Sequence, residues 1–339
     1  MRPASPLRDA TTLADAPPLD EGAAARPPSG RALHDALPLA DATTAPAPSP
    51  TRERALVAGA LLAVYVVWGS TYYAMHVALG FLPPFLMAGA RFVTAGTILL
   101  TLLCLRGAAL PTAKQWAAAG VVGVLLLVFG NGFVAIAQRT VDTGVAATVV
   151  ATMPLWAAGV GSAWGDRPSV REVMGLLAGF AGVAVLHRGG SLALDHVDSL
   201  VLLFAPVAWA FGSQLSRRLP VPPGPMASAA QMIVGGAVML LVAATRGERP
   251  VGPPTLASVG ALLYLVCFGS IVAFSAYGYL LRTTRPSVAT SYAYVNPLVA
   301  LALGALLADE RFTATKLIAC FLTIAGVLIV SAPRRRTRA

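Results

Sequence analysis

The sequence predicts an all-α membrane protein with ten transmembrane helices, arranged as two inverted five-helix repeats. Three observations carry this prediction: a shortage of charge, a series of apolar segments of bilayer length, and an internal repeat with an odd number of segments in each copy.

Only 12% of the 339 residues are charged, while 56% are hydrophobic. A soluble domain usually carries about twice that share of charge to cover its surface. The mean hydropathy is +0.71. The formal net charge of +10 would suit a nucleic-acid binder, but most arginines stand in short breaks between apolar runs, where they orient a membrane protein. No nucleic-acid partner is expected; the lipid bilayer is. Cys104, Cys267 and Cys320 lie far apart inside apolar runs, without metal-ligand spacing, and read as small core residues. No metal and no cofactor are expected.

Residues 1–53 contain ten prolines and no long apolar stretch, so they read as a disordered cytoplasmic tail. Asp9, Asp15, Asp20 and Glu21 interrupt the basic start, which is not the pattern of a secretory signal. From Arg54 onward, segments of about 20 apolar residues recur, the length a helix needs to cross the hydrocarbon layer. The candidate spans are 55–79, 84–105, 116–137, 143–164, 170–187, 197–216, 226–245, 255–281, 286–308 and 313–332. Breaks such as Pro83-Pro84, Arg106-Gly107 and Arg246 through Pro250 separate them. The sixth span is the least regular, because Pro206 interrupts it and Arg217-Arg218 ends it. Residues 333–339 form a basic tail.

Lys and Arg are shared unequally between the two sets of loops, 14 on one side and 6 on the other. The richer side should be cytoplasmic. Both termini then lie inside, as an even number of spans requires.

Residues 54–189 and 196–332 resemble each other. Arg139-Thr140 through Met153-Pro154-Leu155 aligns with Arg282-Thr283 through Asn296-Pro297-Leu298 at a shift of 143. Trp68-Gly69-Ser70 meets Trp209 through Ser213, and Arg91 in the second span meets Gln231 in the seventh. Five spans per copy place the second copy upside down. Inverted repeats are a recurring plan of secondary transporters, with the substrate near the midplane where the copies meet.

These residues resemble the drug/metabolite transporter superfamily in its EamA-domain branch. Trp68-Gly69-Ser70-Thr71-Tyr72 looks like the opening motif of its first helix, and Arg91 like the arginine of its second. Phe129-Gly130-Asn131-Gly132 and Ser291 through Pro297 are similar to the YedA-type members. The resemblance covers about 55–332. It implies two EamA repeats in an inner (plasma) membrane and an export or exchange role. One departure is Gly165-Asp166 after the fourth span, where the family often has Gly-Glu; the second copy has Asp309-Glu310.

Arg91 is the one clear charge inside a span. It stands seven residues in, about 10 Å deep on the helical rise. Burying a cation there costs about 2.5–3.5 kcal/mol, so it calls for an offsetting carbonyl cluster, tyrosines or an anionic group of the substrate; snorkelling to the headgroups is the alternative. Tyr292, Tyr294 and Asn296 precede Pro297, and 292 and 296 share a helical face. Their counterparts Thr148 and Thr152 precede Pro154. Trp68, Ser70 and Tyr72 of the first span, Asn131 of the third, Trp209 and Gln214 of the sixth, Gln231 of the seventh and Tyr277 of the eighth complete the candidate cavity. Gly175, Gly179 and Gly182 form a small-residue stripe that suits helix packing or a homodimer face.

No span holds a buried Asp or Glu, so simple carboxylate coupling to an ion has no obvious residue. The expected function is a carrier that exports or exchanges a small metabolite, amino acid-like or drug-like, by alternating access. The other class considered, a membrane enzyme acting on a lipid-linked substrate, requires clustered Asp, Glu or His. Here those residues are scattered.

Overall fold

The computed structural model describes residues 50–139, 146, 149–186, 197–307 and 314–331. Both expected tails fall almost wholly outside these residues, as do Thr148, Asp309 and Glu310. Every regular element among the described residues is helical. An apolar medium offers no partner for an exposed backbone group, and a helix satisfies its own.

Helix α1 spans Pro50–Leu79 and α2 spans Pro84–Leu105. Helix α3 spans Ala113–Ala137, and its middle, Val124–Gly132, widens into a π-helix. Then come α4 (Met153–Ala163), α5 (Val170–Leu186), α6 (Val197–Ser216) and α7 (Pro225–Thr245). Helix α8 spans Leu256–Thr283 with a second π segment at Leu265–Val272. A one-turn helix, Pro286–Ala289, precedes α9 (Tyr292–Leu307), and α10 (Ala314–Ser331) follows.

Five of these helices, α1, α2, α3, α7 and α8, are long and apolar enough to cross a membrane. Helices α6 and α10 carry shorter apolar stretches, Leu200–Ser216 and Phe321–Val330. Two expected spans differ in detail. The fourth is helical from Met153, its earlier residues lying mostly outside the description. The ninth is interrupted at Thr290-Ser291, where both hydroxyls bond back to the preceding turn, Thr290 Oγ1 to Pro286 O at 2.8 Å and Ser291 Oγ to Val288 O at 2.7 Å. Such back-bonding competes with the helical ladder.

The two copies repeat their start signals. Proline opens both α2 and α7, at Pro84 and Pro225, where its missing N–H costs nothing. Threonine caps both α3 and α8. Thr112 Oγ1 accepts from the Gln115 N–H at 3.3 Å, and Thr255 Oγ1 from the Ser258 N–H at 3.1 Å.

Packing is reciprocal as well. Helix α2 lies against its counterpart α7, and α5 against α10. Helix α1 packs on α8 and α9, as α6 packs on α3 and α4. A twofold relation between the copies produces this pattern. The small-residue stripe is used inside this arrangement: a Cβ on Gly175 would meet the Ile329 and Val330 side chains at 2.8 Å, and one on Gly179 would meet the Tyr294 ring at 2.8 Å. Outward faces carry exposed Leu62, Phe204, Leu241, Leu263, Phe321 and Leu328, as helices facing lipid require.

Candidate functional site

A cavity lies between α1, α2, α3, α4, α6 and α9. Seven of the residues singled out in the sequence line it: Trp68, Tyr72, Arg91, Asn131, Trp209, Tyr292 and Asn296.

Arg91 is the central group. Its side chain is 1% exposed and does not snorkel. Nε donates to Ser270 Oγ at 2.8 Å and Nη2 donates to the Gly269 carbonyl at 3.0 Å. The guanidinium also lies 4.6 Å from the centre of the Phe92 ring. The Gly269 carbonyl accepts a second bond, from Trp68 Nε1 at 3.1 Å. Gly269 and Ser270 belong to the π segment of α8, and a wide π turn opens backbone carbonyls to side-chain donors. Among the described residues no carboxylate takes part, and dipoles hold the cation.

Three polar atoms of the lining are buried and lack a hydrogen-bond partner: Arg91 Nη1, Asn131 Oδ1 and Asn296 Oδ1. An unmet buried polar group costs about 1–3 kcal/mol. The lining residues thus include one cation and two amides with hydrogen-bonding capacity left over.

Aromatic rings of the wall pack on one another and on rings behind them. Trp68 packs edge-on against Trp209 at 5.6 Å between centroids, Phe274 at 5.1 Å and Tyr292 at 4.6 Å. Tyr277 sits tilted at 5.1 Å from Trp68. Its hydroxyl bonds Ser213 Oγ at 2.7 Å and accepts from Trp209 Nε1 at 3.3 Å.

The other six residues singled out in the sequence lie elsewhere. Ser70 Oγ faces α8, within 2.6 Å of the Tyr264 hydroxyl. Thr152 Oγ1 bonds back to Val149 O at 2.7 Å. Gln214 Nε2 donates to Ala157 O at 2.9 Å. Gln231 and Tyr277 border a smaller space next to Ser228 and Arg282. Tyr294 turns away from the cavity and donates to Leu176 O at 3.0 Å.

Sequence reasoning missed Gly130 and Pro206 in the wall, and Gly269 and Ser270 behind Arg91. A signal for the last two was present. Phe268-Gly269-Ser270 repeats Phe129-Gly130-Asn131 at a shift of 139, and each triplet falls in a π segment. The correspondence extends to packing: Trp68 bonds Gly269, and its counterpart Trp209 presses on Gly130, where a Cβ would run into the ring.

Among the described residues no group of three His, Cys, Asp or Glu stands together. The cavity has the parts for binding and orienting a molecule.

The EamA-like transporter family model matches this chain twice, over residues 56–188 and 198–332. The chain is similar to the uncharacterized inner membrane transporter YedA of Escherichia coli K12, 39% identical over 274 residues that cover 80% of this chain and 90% of that protein. It is also similar to the uncharacterized transporter YvbV of Bacillus subtilis, 24% identical with 82% and 93% covered. A chloroplastic WAT1-related protein of Arabidopsis thaliana is 25% identical, with 80% and 69% covered. A crystal structure with 21% sequence identity superposes with a TM-score of 0.69 over 83% of this chain and 97% of the other, which shows a shared fold. The doubled match and the 39% identical relative agree with the apolar helices: this chain is a membrane transporter of small molecules and belongs to the EamA-like transporter family.

Proposed function

We propose that the protein exports or exchanges a small, amino acid-like metabolite across the inner membrane, and that the cavity around Arg91 is its substrate site. The observation that carries this reading is that Arg91, Asn131 and Asn296, each with a buried polar atom left unpartnered, line one cavity. A carboxylate meets the first, and an ammonium or amide N–H meets the other two. Trp68, Tyr72, Trp209 and Tyr292 suit an apolar or aromatic side chain. Those same four rings favour a second reading, a neutral drug-like aromatic.

In this proposal the chain crosses the membrane ten times, with both termini cytoplasmic, as two inverted repeats. Alternating access follows from that symmetry, because each movement of one copy has a mirrored counterpart in the other. The seven lining residues contact substrate, and the six others named from sequence act in packing or at the ends of the path.

Efflux of labelled amino acids from cells with and without the protein tests the cargo. A selective increase for a few of them is expected, and equal rates across the panel would overturn the amino-acid reading. Accessibility labelling of cysteines placed at Arg188 and Arg218 tests the topology: the two must label from opposite sides.

A further inference from the structure

We infer that two further cavities, one at each end of the substrate path, are binding vestibules for anionic groups, and that the cargo therefore bears a carboxylate. This rests on the reading of the central cavity as the substrate site.

One vestibule, with about 710 Å³ of unfilled space, is lined by Arg139, Arg246, Arg249 and Glu248. The other, about 1010 Å³, is lined by Arg167, Arg217, Arg282, Arg285, Asp166 and Glu172. Both continue the helices that wall the central cavity. From Met75 to Leu79 on α1 and from Val134 on α3 to Arg139 just past its end, the wall rises about 6–8 Å into the first vestibule. From Met153 to Ala157 on α4 and from Trp209 to Gln214 on α6, it descends about 6–8 Å into the second. Arg139 and Arg282 correspond in the two copies, each the start of an Arg-Thr pair. The path thus carries arginines at one end, at Arg91 and at the other end.

The acids in these linings are already engaged. Glu172 Oε1 lies 2.6 Å from Arg285 Nη1 and accepts from Ser287 Oγ at 2.9 Å. Asp166 Oδ2 lies 3.1 Å from Arg218 Nη2. Glu248 Oε2 accepts from the Leu86 N–H at 2.8 Å, and its Oε1 lies 3.9 Å from Arg246. By contrast, Arg217 Nη1 donates only to neutral carbonyls, Leu281 O at 2.7 Å and Thr284 O at 2.9 Å. Arginines outnumber acids four to two in one lining and three to one in the other. A concave lining with an excess of one sign focuses the field and concentrates the opposite charge.

Membrane topology does not account for both ends. The bias of Lys and Arg toward the cytoplasm explains one basic mouth. The other stands on the face that this bias leaves poor in cations. Among the described residues, a cationic cargo would meet an excess of arginine in both linings and the Arg91 guanidinium between them.

The test uses purified full-length protein and three probes with one skeleton: 3-phenylpropanoate, phenethylamine and 3-phenylpropanol. Binding is read by quenching of tryptophan fluorescence, since Trp68 and Trp209 line the cavity. The carboxylate is expected to bind at least tenfold more tightly than the amine or the alcohol, and Arg91→Gln should erase that preference. Arg139→Gln and Arg282→Gln should each weaken the carboxylate several-fold at low salt and flatten its salt dependence, while Arg139→Lys and Arg282→Lys restore both. Equal or tighter binding of the amine or the alcohol, binding of none of the three, or an unchanged salt slope in the Gln variants would overturn the inference. If the amine or the alcohol binds and Asn131→Ala or Asn296→Ala weakens it, the central site stands and only the charge assignment falls. If no bound probe responds to those two variants, the central site itself fails.

Discussion

Arg91 concentrates the chemistry of this protein at one residue. Its fork spends Nε and Nη2 on Ser270 and Gly269 and leaves Nη1 buried without a partner. Lysine is a single point of charge and cannot keep that division of labour. Arg91→Lys is therefore expected to lower transport in proteoliposomes at least tenfold while the protein stays folded; transport at the wild-type rate would contradict the role given to the fork. Gly269→Ala puts a Cβ at 3.0 Å from both Arg91 Nη2 and Thr71 Cγ2. It should raise the apparent KM and lower the melting temperature by a few degrees, an overpacking cost of about 1–3 kcal/mol. At this scale much of the site was legible. The four-residue spacing of Tyr292 and Asn296 places both in the wall, and Tyr294, two residues from each, lies on another face, as helical spacing demands. Ser70 was not legible, because its neighbour Tyr264 is 194 positions away in the chain.

Among elements, the two π segments and the glycine crossings decide the geometry. A π segment amounts to one residue inserted into an α-helix. Deleting Val128 from α3 should restore α register and turn Asn131 by about 100° off the cavity. The expected product folds, by unchanged circular dichroism, and does not transport. The widening itself was not legible, since Phe-Gly-Asn inside an apolar run also fits a plain helix. Helices α5 and α10 meet through glycine on both sides. A Cβ on Gly326 would lie 2.7 Å from Gly175 O, a backbone atom that cannot step aside. Gly326→Val should thus separate the helices and lower the melting temperature by about ten degrees or more. Retained stability would show that the crossing is loose. Sequence allowed the stripe either an internal or an intermolecular partner; the fold uses it internally.

The molecule as a whole is two related copies whose contacts are mostly with each other. Ion pairs join them at one mouth: Glu172 of α5 to Arg285 before α9, and Asp166 after α4 to Arg218 after α6. Glu172 also caps its own helix through Ser169, accepting from its N–H at 2.9 Å and its hydroxyl at 2.8 Å. Removing one partner of a largely buried pair is costly. Glu172→Ala is expected to make a cysteine at Gln214 more reactive to a water-soluble thiol reagent, as that mouth loosens, and to shift the balance of import over export rates. Unchanged reactivity would mean the pair is not a latch. The sequence by itself determined the helical class, the lipid-facing composition, the repeat and one buried cation, because segment length, charge scarcity and self-similarity are local properties of a chain. Only the tertiary structure decided which polar groups share a cavity and which are consumed in packing. That outcome depends on the rotation of each helix and on neighbours more than a hundred residues away, as where Gly269 meets both Trp68 and Arg91.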